Sequence, residues 1–400
     1  MHDYPIVIFM ALLILGYGFF SKKAEDSFLT APMVFVIIGL LVSLFDLELL
    51  ADGPKANFVK PIMEFTLIMV LFIDCSTIDL GKLSKEKSFP IRLLGIGLPL
   101  TMVLGALVAI PLFPEQPVIL LVLMALILSP TDAALGQAVV TGNQVPKNIR
   151  QTINVESGLN DGIALPPILV CIALASSAAG EEISGSYWWT FLIKQFLFGP
   201  IVGGLIGWLG GKLVEVAHKN GMITPVYQML ESVAIAILAY AGAEFLGGNG
   251  FIAAYVAGML LGTKNVHVRE RMREFGEAGS QIMILFIFLL FGMILIPISY
   301  QQWDWRTLLY AVLSLTVIRM VPVSLSLLGT GLDRKSKLFI GWFGPRGIAS
   351  VLYLLMAVIS LGPEAVQGIS SVISLTVLLS IFLHGISAQP LSHIFRNSGD

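Results

Sequence analysis

A run of about twenty apolar residues, wound as a helix, is long enough to cross the hydrocarbon core of a bilayer. This chain carries such runs almost end to end. They fall near 5–20, 28–45, 59–78, 90–112, 117–140, 150–179, 189–211, 225–246, 250–263, 279–298, 306–329, 336–359 and 369–391. Lipid offers the backbone no hydrogen bonds, so each segment must satisfy its own, as a helix does. The expectation is an all-α polytopic membrane protein of about thirteen transmembrane helices. The run near 250–263 is short and follows Gly247-Gly248-Asn249-Gly250, which also suits a tilted or partly interfacial helix. Charged residues make up 12% of the 400, against roughly 25% in soluble domains. The deficit runs along the whole chain, so this is not one anchor on a soluble body.

The basic residues alternate with the spans. Lys22, Lys23, Lys82, Lys85, Lys87, Arg92, Lys147, Arg150, Lys212, Lys219, Lys264, Arg269, Arg271, Arg273, Arg334, Lys335, Lys337 and Arg396 fall on one side. Lys55, Lys60, Lys194 and Arg306 fall on the other. Positive loops stay cytoplasmic, which puts the N-terminus outside and the C-terminus in the cytoplasm of a cell-membrane protein. The first run follows His2 and Asp3 rather than a basic stretch, and reads as a retained helix. Few residues follow the last span, so no cytosolic regulatory domain is expected. Cys75 and Cys171 lie in apolar runs and imply neither disulfide nor metal cluster. No Walker-type phosphate loop is present, which argues against ATP as the energy source. A net charge of -2 gives no reason to expect a nucleic-acid partner.

Two spans are interrupted at mid-depth. Ser129-Pro130-Thr131-Asp132 breaks the fifth, and Gly344-Pro345-Arg346-Gly347 breaks the twelfth. Proline removes a backbone donor and clashes with the preceding turn. Each break also carries a charge, Asp132 or Arg346. The breaks lie seven spans apart, an odd number, so the two helices cross in opposite senses. Paired interruptions in inverted halves point to the binding site of a secondary transporter.

The sixth span holds Asn154-Val155-Glu156-Ser157-Gly158-Leu159-Asn160-Asp161-Gly162. Helical spacing stacks Ser157 under Asp161 and Glu156 under Asn160. Ser157 and Asp161 can then face one site with oxygen ligands, which small hard cations prefer. A carboxylate inside a membrane must be protonated, paired or hydrated. Asp161 meets that need with a proton or with a cation. The alternative is a solvated helix start near Arg150, but Glu156 lies ~9 Å beyond it and Asp161 deeper. Arg319 and Arg346 sit in apolar helices and need partners, for which Glu156 and Asp132 are the candidates. Asp74 and Asp79 suit either a cytoplasmic funnel or an interface. Glu64 and Glu231 are intramembrane acids without a partner visible in the sequence, and His384 reads as a packed or interfacial residue.

At these residues the chain resembles the monovalent cation:proton antiporter superfamily, in its NhaP-type sodium/proton exchanger branch. The resemblance rests on Leu128-Ser129-Pro130-Thr131-Asp132-Ala133, Glu156 to Gly162, Gly248-Asn249-Gly250-Phe251-Ile252-Ala253 with Ala257-Gly258, and Gly341 to Gly347. It implies a homodimer in membrane lipid, involved in pH homeostasis. Scaffold helices would lie roughly at 5–78 and 189–298, and moving core helices roughly at 90–179 and 306–391. It implies that Asp161 is the exchanged Na⁺ (or Li⁺) and H⁺ site, with oxygens from Thr131 and Ser157 on the ion. Arg319 would hold Glu156 and shape the site. Asn160 stands where the electrogenic branch has a second aspartate, implying electroneutral one-for-one exchange. No cofactor beyond the transported ions is implied. Cys75 departs from the small residue common after Asp74, and the long C-terminal tail of eukaryotic exchangers is absent.

The same ligands suit K⁺/H⁺ exchange. An ion channel would call for a pore loop or ring motif, and none appears. A hydrolase using Ser157 would need a histidine base, and neither broken helix has one. The chain is therefore not expected to be an enzyme.

Overall fold

The computed structural model describes residues 4–25, 29–45, 58–76, 78, 88–132, 135, 139, 144–178, 192–261 and 266–395. Every described element is helical, and each apolar stretch contains helix. In chain order these are α1 (Tyr4–Glu25), α2 (Ala31–Ser43), α3 (Val59–Ser76), α4 (Leu98–Leu112), α5 (Val118–Ile127) and α6 (Lys147–Ala178). Then follow α7 (Gly199–Lys219), α8 (Pro225–Phe245), α9 (Gly250–Met259) and α10 (Val266–Leu290). The last five are α11 (Trp305–Leu315), α12 (Val317–Ser326), α13 (Arg334–Trp342), α14 (Ile348–Leu361) and α15 (Gln367–Ser392). Among the described residues, seven helical stretches are long and apolar enough to cross a membrane; α2, α5, α9 and α14 are shorter apolar helices. Asp79, Lys55, Lys82, Lys85, Lys87, Lys264 and Arg396 lie outside the described residues, as does most of the fifth stretch beyond Asp132.

The surface is apolar where a soluble protein's would be polar. Leu12, Phe19, Leu107, Leu205, Leu213 and Leu238 are exposed, as lipid-facing side chains are. The interior instead collects polar groups, among them Thr131, Glu156, Asn160, Asp161, Arg319, Arg346 and His384.

Helices α3, α7 and α9 approach backbone to backbone. A side chain at Gly203 or Gly207 would strike Ala253 or Ala257 of α9, and one at Gly258 would strike Phe72 of α3. Small residues at such contacts let membrane helices pack closely where lipid gives no hydrophobic drive. The stretch at 306–329 is two helices rather than one. Thr316 leaves helical geometry at φ -114, ψ -91, and its hydroxyl caps the Val312 carbonyl at 2.6 Å.

Candidate functional site

The two breaks meet in the interior and satisfy each other. The Asp132 backbone N–H donates to the Pro345 carbonyl at 2.8 Å. The Ile348 N–H, at the first residue of α14, donates to Asp132 Oδ2 at 3.0 Å. A carboxylate thus faces the positive end of a helix, where it is stabilised. Arg346 does the converse, donating through Nη1 to the Ser129 carbonyl at 2.8 Å and the Pro130 carbonyl at 3.2 Å. Those carbonyls follow the C-terminal end of α5, the negative end of that helix. Ser350 of α14 donates to the Ile127 carbonyl at 2.8 Å, and Ser129 Oγ to Ala125 at 2.6 Å. Carbonyls that the break strands are thereby bonded inside the membrane, as they must be.

This corrects one expectation. Arg346 does not take Asp132 or Glu156 as its hydrogen-bonding partner; it caps backbone. The reason is that a cut helix offers partial charges of its own, which a list of charged side chains does not show. The glycines of the second break supply room. A Cβ on Gly347 would overlap Asp132, and one on Gly344 would overlap the Arg319 guanidinium.

Helix α6 brings the remaining residues. Asp161 lies fourteen residues into this 32-residue helix, ~21 Å from its start at 1.5 Å per residue. Ser157 Oγ donates to the Thr131 carbonyl at 2.7 Å. Asn160 Nδ2 donates to Thr131 Oγ1 at 2.6 Å and to its carbonyl at 3.3 Å. Thr131 is thus the hinge-point between the first break and α6. Its carbonyl accepts two bonds, so its hydroxyl is the oxygen with spare capacity. Asp161 Oδ1 and Asn160 Oδ1 are buried and accept no hydrogen bond within the protein. Asp161, Asn160, Thr131 and Ser157 offer carboxylate, amide and hydroxyl oxygens, the hard donors that alkali cations prefer.

Glu156, one turn before Asn160 on α6, meets α12 instead. Arg319 donates to it through Nη1 at 2.6 Å and Nη2 at 2.8 Å, a bidentate pair. The two side chains are 2% and 1% exposed. Geometry of this kind is the strong form of an arginine–carboxylate bond.

Two tyrosines in apolar runs escaped the reading of the sequence. Tyr353 of α14 donates to the Asp161 carbonyl at 2.8 Å, and Tyr255 of α9 to the Leu159 carbonyl at 3.3 Å. Cys75 of α3 lies 3.4 Å from the Gly158 carbonyl. Polar tips on buried aromatics signal partners, but sequence alone does not say which. Glu64 proves to have a partner, Lys60, at 3.8 Å on the helix surface. Glu231 lines a cavity of about 440 Å³ between α7 and α8 with Leu213 and Ile235. His384 is fully buried and hydrogen-bonded, a packed residue rather than an interfacial one. Asp74 is partly buried, with its backbone against Gly158.

Comparison with known proteins agrees with this geometry. The profile of the family described as sodium/hydrogen exchanger, transmembrane, matches residues 8–393. The K(+)/H(+) antiporter NhaP2 of Shewanella oneidensis is 25% identical over 371 residues, 91% of this chain and 62% of that protein. The K(+)/H(+) antiporter NhaP of Alkalimonas amylolytica is 25% identical over 398 residues, 96% of this chain and 66% of that protein. The Na(+)/H(+) antiporter of Schizosaccharomyces pombe is 26% identical over 312 residues, 71% and 66%. The chain therefore spans between 62% and 66% of the length of these relatives. The sodium proton antiporter MjNhaP1 from Methanocaldococcus jannaschii shares the fold, with a TM-score of 0.76 at 19% identity. The match covers 99% of this chain and 100% of that one.

Proposed function

The chain belongs to the sodium/hydrogen exchanger transmembrane family, and on that premise we propose that it is a multi-pass secondary antiporter exchanging Na⁺ or Li⁺ for H⁺. The observation that carries this is the buried Asp161 carboxylate with Oδ1 unbonded, next in the chain to Asn160, whose amide holds the Thr131 hydroxyl. Desolvated, that carboxylate is held by one proton or by one cation. The two compete, and the loaded site carries the same net charge either way. Asn160 cannot titrate, so exchange is one for one and electroneutral. Ser157 and Asn160 set where Thr131 stands. Glu156, Arg319, Asp132 and Arg346 hold the frame. Transport needs no cofactor and involves no enzymatic step.

The core helices, roughly 90–179 and 306–391, move against scaffold helices at roughly 5–78 and 189–298, exposing Asp161 alternately to the two sides. The scaffold joins two copies into a homodimer in the lipid bilayer. The N-terminus is outside and the C-terminus cytoplasmic. Contacts between loops support that alternation. Arg306 reaches Glu115, Arg92 reaches the Leu328 carbonyl, and Arg271 reaches Gln228 beside His218. Each set joins positions assigned to one side of the membrane.

K⁺/H⁺ exchange is the second reading, favoured by the names of two of the relatives. Reconstitution into liposomes with an internal pH dye separates them. Na⁺ or Li⁺ added outside enters in exchange for H⁺ and is expected to alkalinise the lumen, with K⁺ far less effective. A response to K⁺ alone assigns the second reading, and no response to any cation overturns the proposal.

A further inference from the structure

Between Trp342, the last residue of α13, and Ile348, the first of α14, the backbone leaves the helix. Two groups at this cut look toward α15. The Arg346 N–H donates to Ser380 Oγ at 2.7 Å. The Trp342 carbonyl lies 2.9 Å from Nε2 of His384. Ser380 and His384 stand one turn apart on α15, and the Ser380 hydroxyl is 3.1 Å from His384 Nδ1. Arg346, Ser380 and His384 are buried, and Trp342 is partly so.

Two donors follow from their partners. A carbonyl only accepts, so His384 Nε2 carries its hydrogen toward Trp342. A backbone N–H only donates, so Ser380 Oγ accepts from Arg346. Nδ1 lies between the Ser380 hydroxyl at 3.1 Å and the Ser380 carbonyl at 3.0 Å, so α15 holds that side of the ring in either protonation state. A chain of contacts runs from the Arg346 N–H through Ser380 and the imidazole to the Trp342 carbonyl. It bridges the cut in the twelfth span from outside. Trp342 is pinned again by its indole N–H, which donates to Ser387 Oγ at 2.9 Å, and by its ring, 4.9 Å from the imidazole at 32°.

We infer that His384 is a positioning residue for cation exchange, acting with Ser380 to fix the spacing of the two half-helices that carry the crossing. It touches no ion. Its effect passes through Arg346, which reaches Ser129 and Pro130, and through the α14 N-terminus, which holds Asp132. Both bear on Thr131, which stands between Pro130 and Asp132. The inference rests on the proposed exchange activity for its kinetic part and on geometry alone for the bond from Nε2 to Trp342.

The test compares the parent protein with H384Q, H384L and S380A in liposomes, measuring cation-driven pH change against Na⁺ concentration. Glutamine carries a donor and an acceptor on one amide and can serve both Trp342 and Ser380. H384Q is expected to keep the parent KM within about threefold. H384L and S380A are expected to raise it about tenfold, the size of effect one buried hydrogen bond has, with a smaller change in maximal rate. An unchanged KM in S380A and H384L overturns the inference. Should the parent exchange no cation at all, the proposed function fails, and nitrogen-15 NMR of the ring still decides for His384. That signal is assigned by its loss in H384Q. A protonated Nε2 near neutral pH supports the inference; a bare Nε2, which cannot donate to the Trp342 carbonyl, overturns it.

Discussion

Arg319 and Glu156 form a bidentate pair, 2.6 and 2.8 Å, sealed from the surface between α12 and α6. Removing one partner of a buried pair strands the other charge, at a cost of about 3–5 kcal/mol. E156Q and R319A are each expected to lower the melting temperature in detergent markedly. The double variant is expected to lose less than the sum, because no charge is left stranded. Strictly additive losses would show that the two side chains do not act together.

Asp161→Asn removes the titrating group and keeps its shape. The Asp161 backbone carbonyl keeps its bond from Tyr353, and Ser157 and Asn160 keep theirs to Thr131. The variant is expected to insert and melt like the parent while losing cation-driven pH change in proteoliposomes. Near-normal exchange would remove Asp161 from its role.

If H⁺ and Na⁺ compete for one carboxylate, acid raises the apparent KM for Na⁺. At high pH the returning site lacks its proton and turnover slows. Activity against pH is therefore expected to be bell-shaped, with rising Na⁺ pushing the acidic limb to lower pH. A valinomycin-clamped voltage is expected to leave both the rate and the final Na⁺ distribution unchanged. An acidic limb indifferent to Na⁺ would reject competition, and a steep voltage dependence would reject one-for-one exchange.

Gly162 lies one residue past Asp161 and faces the Tyr255 ring so closely that any Cβ would overlap it. Overpacking of this kind costs about 1–3 kcal/mol where neighbours cannot shift. G162A is expected to destabilise the protein by that order and to slow exchange, since α9 and α6 fall in the two proposed bodies. Adding Y255A is expected to recover the stability. A G162A protein with parental melting and turnover would show that the contact yields freely.

Asp304 caps α11, accepting the Thr307 N–H and hydroxyl at 2.8 Å each. The Thr307 backbone bond, foremost, holds its carboxyl below the usual carboxylate range. A pKa lowered by folding stabilises the protein above the unfolded value of about 3.9, and that gain fades as pH falls through the folded value. D304A is expected to cost about 1 kcal/mol near neutral pH. Melting curves in detergent are expected to show the difference from the parent shrinking below about pH 4. A gap that stays constant into acid would show that the cap owes nothing to ionisation.

What the sequence shows plainly is what membrane insertion makes costly. A carboxylate at Glu156 and a guanidinium at Arg319 cannot sit alone in apolar helices, so that each needs a partner is legible before any coordinates exist; that they take each other comes from the family resemblance. The breaks at Pro130 and Pro345 are legible for the same reason, as backbone that something must satisfy. The partners chosen at those breaks are not. Arg346 on the Ser129 and Pro130 carbonyls, and Asp132 on the Ile348 N–H, bind termini that exist only once the helices are cut and crossed. Tyr353 and Tyr255 hide differently. In an apolar run an aromatic reads as packing, and its hydroxyl finds a target 192 or 96 residues away in the chain. The cut at Thr316 has no glycine or proline to announce it.

The Thr131 carbonyl already accepts from Ser157 and from Asn160, and the two carbonyls before it each receive Arg346. The Thr131 carbonyl has both lone pairs taken, and its two neighbours one each, before any ion arrives. A cation lodged beside Asp161 that turns to Thr131 finds its hydroxyl rather than its carbonyl, and completes its shell with side-chain oxygens and with water it has not shed. Such a site grades ions by the cost of partial dehydration rather than by fit to a closed ring of carbonyls. Ions of neighbouring size are then separated by ratios of affinity, and a small change in the side-chain set is enough to reorder them.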